Sequence, residues 1–92
     1  MKLEYDEQKS RRNENERVLP FSVAKNFEFD TAFIEQDIRF EYSEPRFKAI
    51  GFIQNRLFVI VFCLRNENYR IISLRKANPR EVKKYEIYRR LY

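Results

Sequence analysis

The stretch RIISLRKANPREVKKYE, Arg70 to Glu86, decides how this chain is read, because a β-strand runs in it straight into a helix. The helix opens with three agreeing signals: Asn78 as N-cap, Pro79 at the first helical position, and Glu81 three residues after the cap. Strand and helix meet in a cluster of cations. The stretch holds three arginines (Arg70, Arg75, Arg80) and three lysines (Lys76, Lys83, Lys84) against two carboxylates, Glu81 and Glu86. Such an excess calls for an anionic partner or a structural reason.

Upstream, FKAIGFI (47–53) and LFVIVFCL (57–64) flank a tight turn at Gln54 to Arg56 and read as a β-hairpin. The second of these strands is apolar throughout, as expected of a central strand covered on both faces. Asn66 to Asn68 turns the chain into a third strand, YRIISLR (69–75). Strict alternation places Tyr69, Ile71, Ser73 and Arg75 on one side, and Arg70, Ile72 and Leu74 on the other. Arg46 precedes the first hairpin strand and Arg65 follows the second, so antiparallel pairing brings them together. With Arg75 and Lys76, four cations are expected to converge. In the last helix Val82, Tyr85, Tyr88, Leu91 and Tyr92 share one face, and Arg80, Lys83 and Arg90 the other.

The first half is more polar. A short strand is expected from Lys2 to Tyr5, then a helix capped by Asp6 and running to about Arg17. That helix, DEQKSRRNENER, has no broad apolar face, so it must be held by its ends or keep one face for something else. Pro20 suits the first turn of a second helix reaching about Phe29, in which Phe21, Ala24 and Phe27 form an inward stripe. Residues 32–42 read as extended. The expected fold class is α+β: two N-terminal helices, an antiparallel meander of three strands or more, and a C-terminal helix. With 92 residues, 43% of them hydrophobic, nine Phe and six Tyr, the chain can build the core of a single domain spanning 1–92.

Composition excludes several chemistries. The chain has no histidine, which removes Ser/His and Cys/His catalysis and the commonest zinc ligand. Gly51 is the only glycine, so there is no phosphate-binding glycine loop. The single cysteine, Cys63, cannot form an internal bridge, which points to a reducing compartment, and its apolar surroundings read as core. The first twenty residues lack an apolar signal segment. The longest apolar run, Leu57 to Leu64, is eight residues against the roughly 20 a membrane span needs. A soluble, cytoplasmic protein without cofactor or metal is expected. The net charge of +5 is concentrated: residues 65–92 carry nine cations and three anions. That field attracts polyanions, nucleic acid above all.

RIISLRKANPRE followed by Tyr85 resembles the R-I-I-S-x-R-K-A-x-x-x-E-x-x-x-Y ending of the BrnT-type ribonuclease toxins of bacterial toxin–antitoxin pairs. The likeness continues upstream through Asp37, Arg39, Tyr42, Glu44, Arg46 and Gly51, a D-x-R-x-x-Y-x-E-x-R-x-x-x-x-G pattern. It reaches Asp6, Lys9 and Asn13 in the first helix, then Phe21 and Ala24. The family often has Lys-His-Gly before the second helix, where this chain has Glu16, Arg17 and Val18. The missing glycine implies a differently shaped connection, and any activity must do without a histidine there. Tyr88 to Tyr92 lie outside the motif.

The resemblance implies a RelE-like fold and cleavage of RNA without a required metal. It also implies neutralisation by a small ribbon-helix-helix antitoxin, in a hetero-oligomer with two toxin chains. Such cleavage uses attack of the ribose 2′-hydroxyl on the adjacent phosphate, so extra negative charge must be stabilised and two protons moved. Arg46, Arg65 and Arg75 are the candidates for charge stabilisation. Lys76 could hold phosphate or accept a proton, and Glu44 is the alternative base. Tyr85 is a possible acid or base-stacking group, although it lies on the apolar face of its helix. For Glu81 a capping role is preferred to catalysis, and Lys9 and Asn13 could reach the site or brace the first helix. Two other readings compete: a non-catalytic RNA- or ribosome-binding module, and an interaction subunit whose basic face receives an acidic protein.

Overall fold

The computed structural model describes residues 3–17 and 19–92. Lys2, where the first strand was expected to start, and Val18, in the connection expected to be differently shaped, lie outside the described residues. The element order is β1 (Leu3–Tyr5), α1 (Glu7–Arg17), 3-10 turns at Phe21–Asn26 and Phe29–Thr31, β2 (Phe33–Asp37), β3 (Arg46–Ile53), β4 (Arg56–Arg65), β5 (Asn68–Lys76) and α2 (Pro79–Leu91). The α+β class holds, with a five-stranded sheet in the order β1-β5-β4-β3-β2. β2 to β5 are antiparallel neighbours, and β1 adds to the edge of β5 in parallel.

The polar helix α1 is capped by Asp6, whose carboxylate accepts hydrogen bonds from the backbone N–H of Gln8 (2.8 Å) and Lys9 (3.3 Å). No apolar stripe docks it. Its two buried residues, Ser10 and Asn13, do so by hydrogen bonding. Ser10 Oγ accepts from Phe21 N–H at 2.9 Å, and Asn13 Nδ2 donates to the carbonyls of Leu19 (2.6 Å) and Leu74 (2.8 Å). Asn13 thus ties the helix to β5.

The second α-helix expected from Pro20 to Phe29 does not form. A 3-10 helix occupies Phe21–Asn26, with Pro20 at its N-cap, and a separate turn follows. The spacing of Phe21, Ala24 and Phe27 is the reason: a strict repeat of three lines up on a helix with three residues per turn, whereas an α-helix also needs steps of four. Phe27 leaves the helix to bridge Ile53 of β3, lying across Gly51. A Cβ on that residue would sit 2.7 Å from Phe27 Cζ and 3.0 Å from Ala32 Cβ, so only glycine fits the crossing.

The sheet has two unlike faces. One is closed by α1 and the 3-10 segments over Phe58, Ile60, Phe62, Ile71 and Leu74. α2 covers part of the other, over Ile50, Leu57 and Val59, with Tyr85 buried beneath it. β4 lies in the middle and is apolar toward both, as its sequence requires.

Alternation along β5 is broken, which corrects the expected sidedness. Val61 lies opposite Ser73, but Phe62 lies opposite Ile71, leaving Ile72 as an extra residue at a β-bulge. The phase of β5 therefore flips. Tyr69, Ile71 and Leu74 all meet the α1-side core, and Arg75 is turned with Ser73 onto the α2 side.

The β4–β5 turn has both central residues left-handed, Asn66 at φ 49° and Glu67 at φ 68°, the signature of a type I′ turn. Glutamate is a poor choice at the second position. Glu67→Gly is expected to raise stability by about 1 kcal/mol, seen as a higher urea midpoint with an unchanged slope. Asn13→Ala leaves a buried carbonyl, that of Leu74, and a half-buried one, that of Leu19, without their donor and is expected to destabilise by about 2 kcal/mol in the same assay.

Candidate nucleic-acid interface

Beyond the edge of α2, the same sheet face is polar and carries no helix among the described residues. Register builds it in rows. Asp37, Arg46, Cys63, Arg70 and Glu4 lie side by side across all five strands. The next row is Glu35, Lys48, Val61 and Ser73, and the next places Arg75 beside Val59 and Ile50, where the helix begins to cover the sheet.

Each row has its charges held in place. Glu81, in the first turn of α2, is buried and makes the capping box: its backbone N–H donates to Asn78 Oδ1 and its carboxylate accepts from Asn78 N–H, both at 2.9 Å. The same carboxylate takes a two-pronged pair from Arg75 at 2.7 and 2.8 Å, and a second cation, Lys48 Nζ, at 2.8 Å. Arg75, Lys48 and Asn78 together pull the Glu81 carboxyl down to about 2 against burial, which opposes them. Arg75 is raised in turn by Glu81.

Arg39 forks onto Asp37, with two bonds of 2.9 Å, and Tyr42 donates to the same carboxylate at 3.1 Å. These contacts hold Asp37 far below the usual carboxylate range, with Arg39 the main cause. Arg65 donates to Glu44 at 3.1 and 3.3 Å, and the Cys63 thiol donates to it at 3.3 Å. Arg65 is the larger cause of Glu44's lowering, while burial pushes the Cys63 thiol up. Cys63 is thus a core thiol with a hydrogen-bonding role. Arg46 is held differently: its guanidinium stacks over the Tyr42 ring at 4.3 Å and has no carboxylate partner among the described residues. Stacking engages the flat face of the guanidinium and leaves its edge donors available to an anion.

The expected meeting of Arg46, Arg65, Arg75 and Lys76 does not occur. Arg46 and Arg65 do lie near each other, since Arg46 faces Cys63, two residues before Arg65 on β4. Arg75 instead faces Val59, four residues before Cys63 on β4, about 14 Å away at about 3.4 Å per residue. Lys76 faces Phe58 and so belongs to the opposite side of the sheet, exposed at the strand end. At the strand end Arg75 shares a hollow with Arg17, Leu19 and Lys76, and on the α2 side it meets Lys48 and Arg39. With Glu35, Asp37, Ile38 and Val61 they line a cleft of about 280 Å³.

Arg39 and Lys48 were absent from the candidates drawn from sequence, though a signal existed for each. Lys48 follows Arg46 by two residues and shares its face, and Arg39 belongs to the D-x-R pattern quoted above. Tyr85 is buried on the covered half, its hydroxyl donating to Thr31 O at 3.1 Å and its ring edge-on to Phe52. Lys9 is exposed on α1, whereas Asn13 braces that helix. A larger hollow of about 890 Å³ opens beside α2, but its floor is apolar (Phe52, Leu57, Val82, Tyr85) and its charged rim is of both signs. The cleft is instead lined largely by charged groups, Arg39, Lys48 and Arg75 standing beside Glu35 and Asp37.

The fold and this face define a small basic α+β protein with arginines and lysines arrayed on an uncovered part of its sheet. The family model for BrnT, the ribonuclease toxin of type II toxin–antitoxin systems, matches residues 5–81, and the chain belongs to that family. No curated protein matches it. The match ends at the capping glutamate Glu81, so most of α2 lies beyond it. Residues of the resemblance have visible work here: Asp6 caps α1, Asn13 ties it to β5, Asp37 holds Arg39 and Tyr42, Tyr42 carries Arg46, and Gly51 admits Phe27.

Because the folded Glu81 carboxyl lies below its ordinary 4.5, its contribution to stability is complete above about 4.5 and is lost as pH falls toward 2. Glu81→Gln keeps an acceptor for the capping box but removes the counter-charge of Arg75 and Lys48. It is expected to destabilise by about 2 to 3 kcal/mol at pH 7, less than for a fully buried pair because about a third of each cation is open to water. Urea midpoints at pH 7 and pH 3 check this: the variant's fall between the two should be smaller than that of the unaltered protein.

Proposed function

We propose that this toxin is an endoribonuclease that cleaves RNA at the basic half of the α2-side sheet face, without a required metal. The observation that carries the reading is Arg46, stacked on Tyr42 with its donor edge unclaimed by any described carboxylate, beside the Arg39, Lys48 and Arg75 cleft. A phosphate can accept from the guanidinium edge, and the surrounding cations lower the energy of the extra negative charge that develops as the 2′-oxygen attacks. The carboxylates nearest these cations, Asp37, Glu44 and Glu81, are all held ionised below their usual range. They orient cations better than they accept protons. Catalysis here rests on placement and charge stabilisation; Glu44, the alternative base, is on this face and is the group to test for proton transfer, whereas Lys76 lies on the other side of the sheet. Independence of metal is supported by the absence of histidine and by the use of each of these carboxylates as a partner for a cation.

The fold is proposed to be RelE-like, and the antitoxin to be a ribbon-helix-helix protein acting in the cytoplasm. Such an antitoxin would cover the same cationic face and, because its DNA-binding domain dimerises, hold two toxin chains. Opposite charge would speed the capture.

The test is purified protein incubated with RNA, with and without EDTA. Cleavage is expected in both, and cleavage only after a divalent ion is added would sink the metal-free mechanism. RNA binding without cleavage would favour a non-catalytic RNA-binding module. Arg46→Ala is expected to lower the cleavage rate about a hundredfold or more with an unchanged urea midpoint, since it removes a charge-stabilising donor and no ion pair. Arg75→Ala is expected to lose activity and stability together, because its partner Glu81 is buried.

A further inference from the structure

The connection from β2 to β3 exposes apolar side chains to solvent. Ile38 is 81% exposed and Phe40 is 68% exposed; Ile38 and Arg39 help to line the cleft, and Ile38 and Phe40 a neighbouring hollow that also holds Asp37, Glu41 and Glu44. The start of the segment is braced. The Asp37 side chain, only 7% accessible, accepts from the backbone and side chain of Arg39 and from Tyr42, closing residues 37–42 into a fastened turn. Along it run four side chains in contact. The Arg39 guanidinium lies 5.9 Å from the Phe40 ring centre, Phe40 stands edge-on to Tyr42 at 6.1 Å, and Tyr42 carries Arg46 at 4.3 Å. Two aromatic rings are therefore bracketed by two guanidinium groups.

Resting on the ribonuclease reading above, we infer that Phe40 is a stacking platform for an unpaired base of the RNA, seated beside the phosphate held by the cleft. Single-stranded nucleic acid asks for this combination: cations that follow the backbone and an aromatic face that accepts any base. Phe40 has no hydrogen-bonding group, so it grips the base without reading its identity. The braced turn presents the ring already in place, so little ordering accompanies binding. An exposed aromatic ring alone could equally meet a protein. Its place in one strip with Arg39, Tyr42 and Arg46, whose guanidinium has no carboxylate partner among the described residues, favours the polyanion.

The experiment measures binding of a 2′-O-methyl RNA oligonucleotide, which cannot be cut, by fluorescence anisotropy. The proteins are the unaltered chain, Phe40→Ala, Phe40→Leu and Phe40→Trp. Loss of one stacked base is expected to weaken binding roughly tenfold in the alanine and leucine variants, while tryptophan keeps it. The slope of log affinity against log salt stays the same, because no phosphate contact is removed. In a series of oligonucleotides with a single abasic site, one position should weaken the unaltered protein and have no further effect on Phe40→Ala. Equal affinity of the unaltered protein and Phe40→Ala would overturn the inference, as would full retention by leucine. Unchanged RNA binding with weakened capture of the antitoxin would reassign the ring to a protein contact. RNA binding that is absent in the unaltered protein removes the ribonuclease reading itself, an outcome distinct from a failure at Phe40 alone.

Discussion

The buried carboxylate of Glu81 is the contact on which the arrangement depends. It completes the cap of α2, and in the same place it receives Arg75 from β5 and Lys48 from β3. One group thereby sets where the helix starts, which strands it rests on and how far it covers the sheet. A carboxylate so enclosed is tolerable only because each of its oxygens is occupied by a cation or a backbone donor. Beyond that anchor the face is left without a helix, and a helix advanced by two turns would bury the cations that distinguish this surface.

Arg75 reaches Glu81 because of the bulge at Ile72. Regular pleating would bury Tyr69, Ile71, Ser73 and Arg75 on one side and strand the α1-side core of Leu74. The extra residue lets Ile71 and Leu74 both enter that core and delivers Arg75 to the other face. The irregularity thus serves packing and placement of charge at once. Asn13, holding the carbonyl of Leu74 from α1, fastens β5 just beyond it.

The basic face is not a field of loose lysines. Arg39, Lys48, Arg65 and Arg75 are each positioned by an acidic partner, and Arg46 by an aromatic ring. Pairing lowers the net charge of the surface yet fixes the guanidinium groups in direction, which matters more for a phosphate in a reacting geometry than total charge does. The ring-held Arg46 combines fixed direction with an unneutralised charge, which sets it apart from its neighbours.

Much of this was legible in the residues. The capping box of α2, the cap at Asp6, the two tight turns and the all-apolar β4 follow from interactions within about four residues or from burial of a whole strand, and they appear where expected. The strict three-residue spacing of Phe21, Ala24 and Phe27 also carried its answer, since it belongs to a 3-10 helix. The grouping of the site was not legible. Arg75 was assigned to the wrong face because alternation holds only while the ladder is regular, and the bulge is selected by cross-strand packing of Ile71 and Leu74 against Phe62 and Ile60. Lys48 and Arg39 stood in view as charged residues, but their meeting with Arg75 depends on register and on a turn closed by Asp37. Local hydrogen bonding and composition determined the elements and the sign of the surface. Tertiary packing decided which cations share a cleft, because strand register, set by the fit of side chains distant in sequence, fixes which neighbours a residue has.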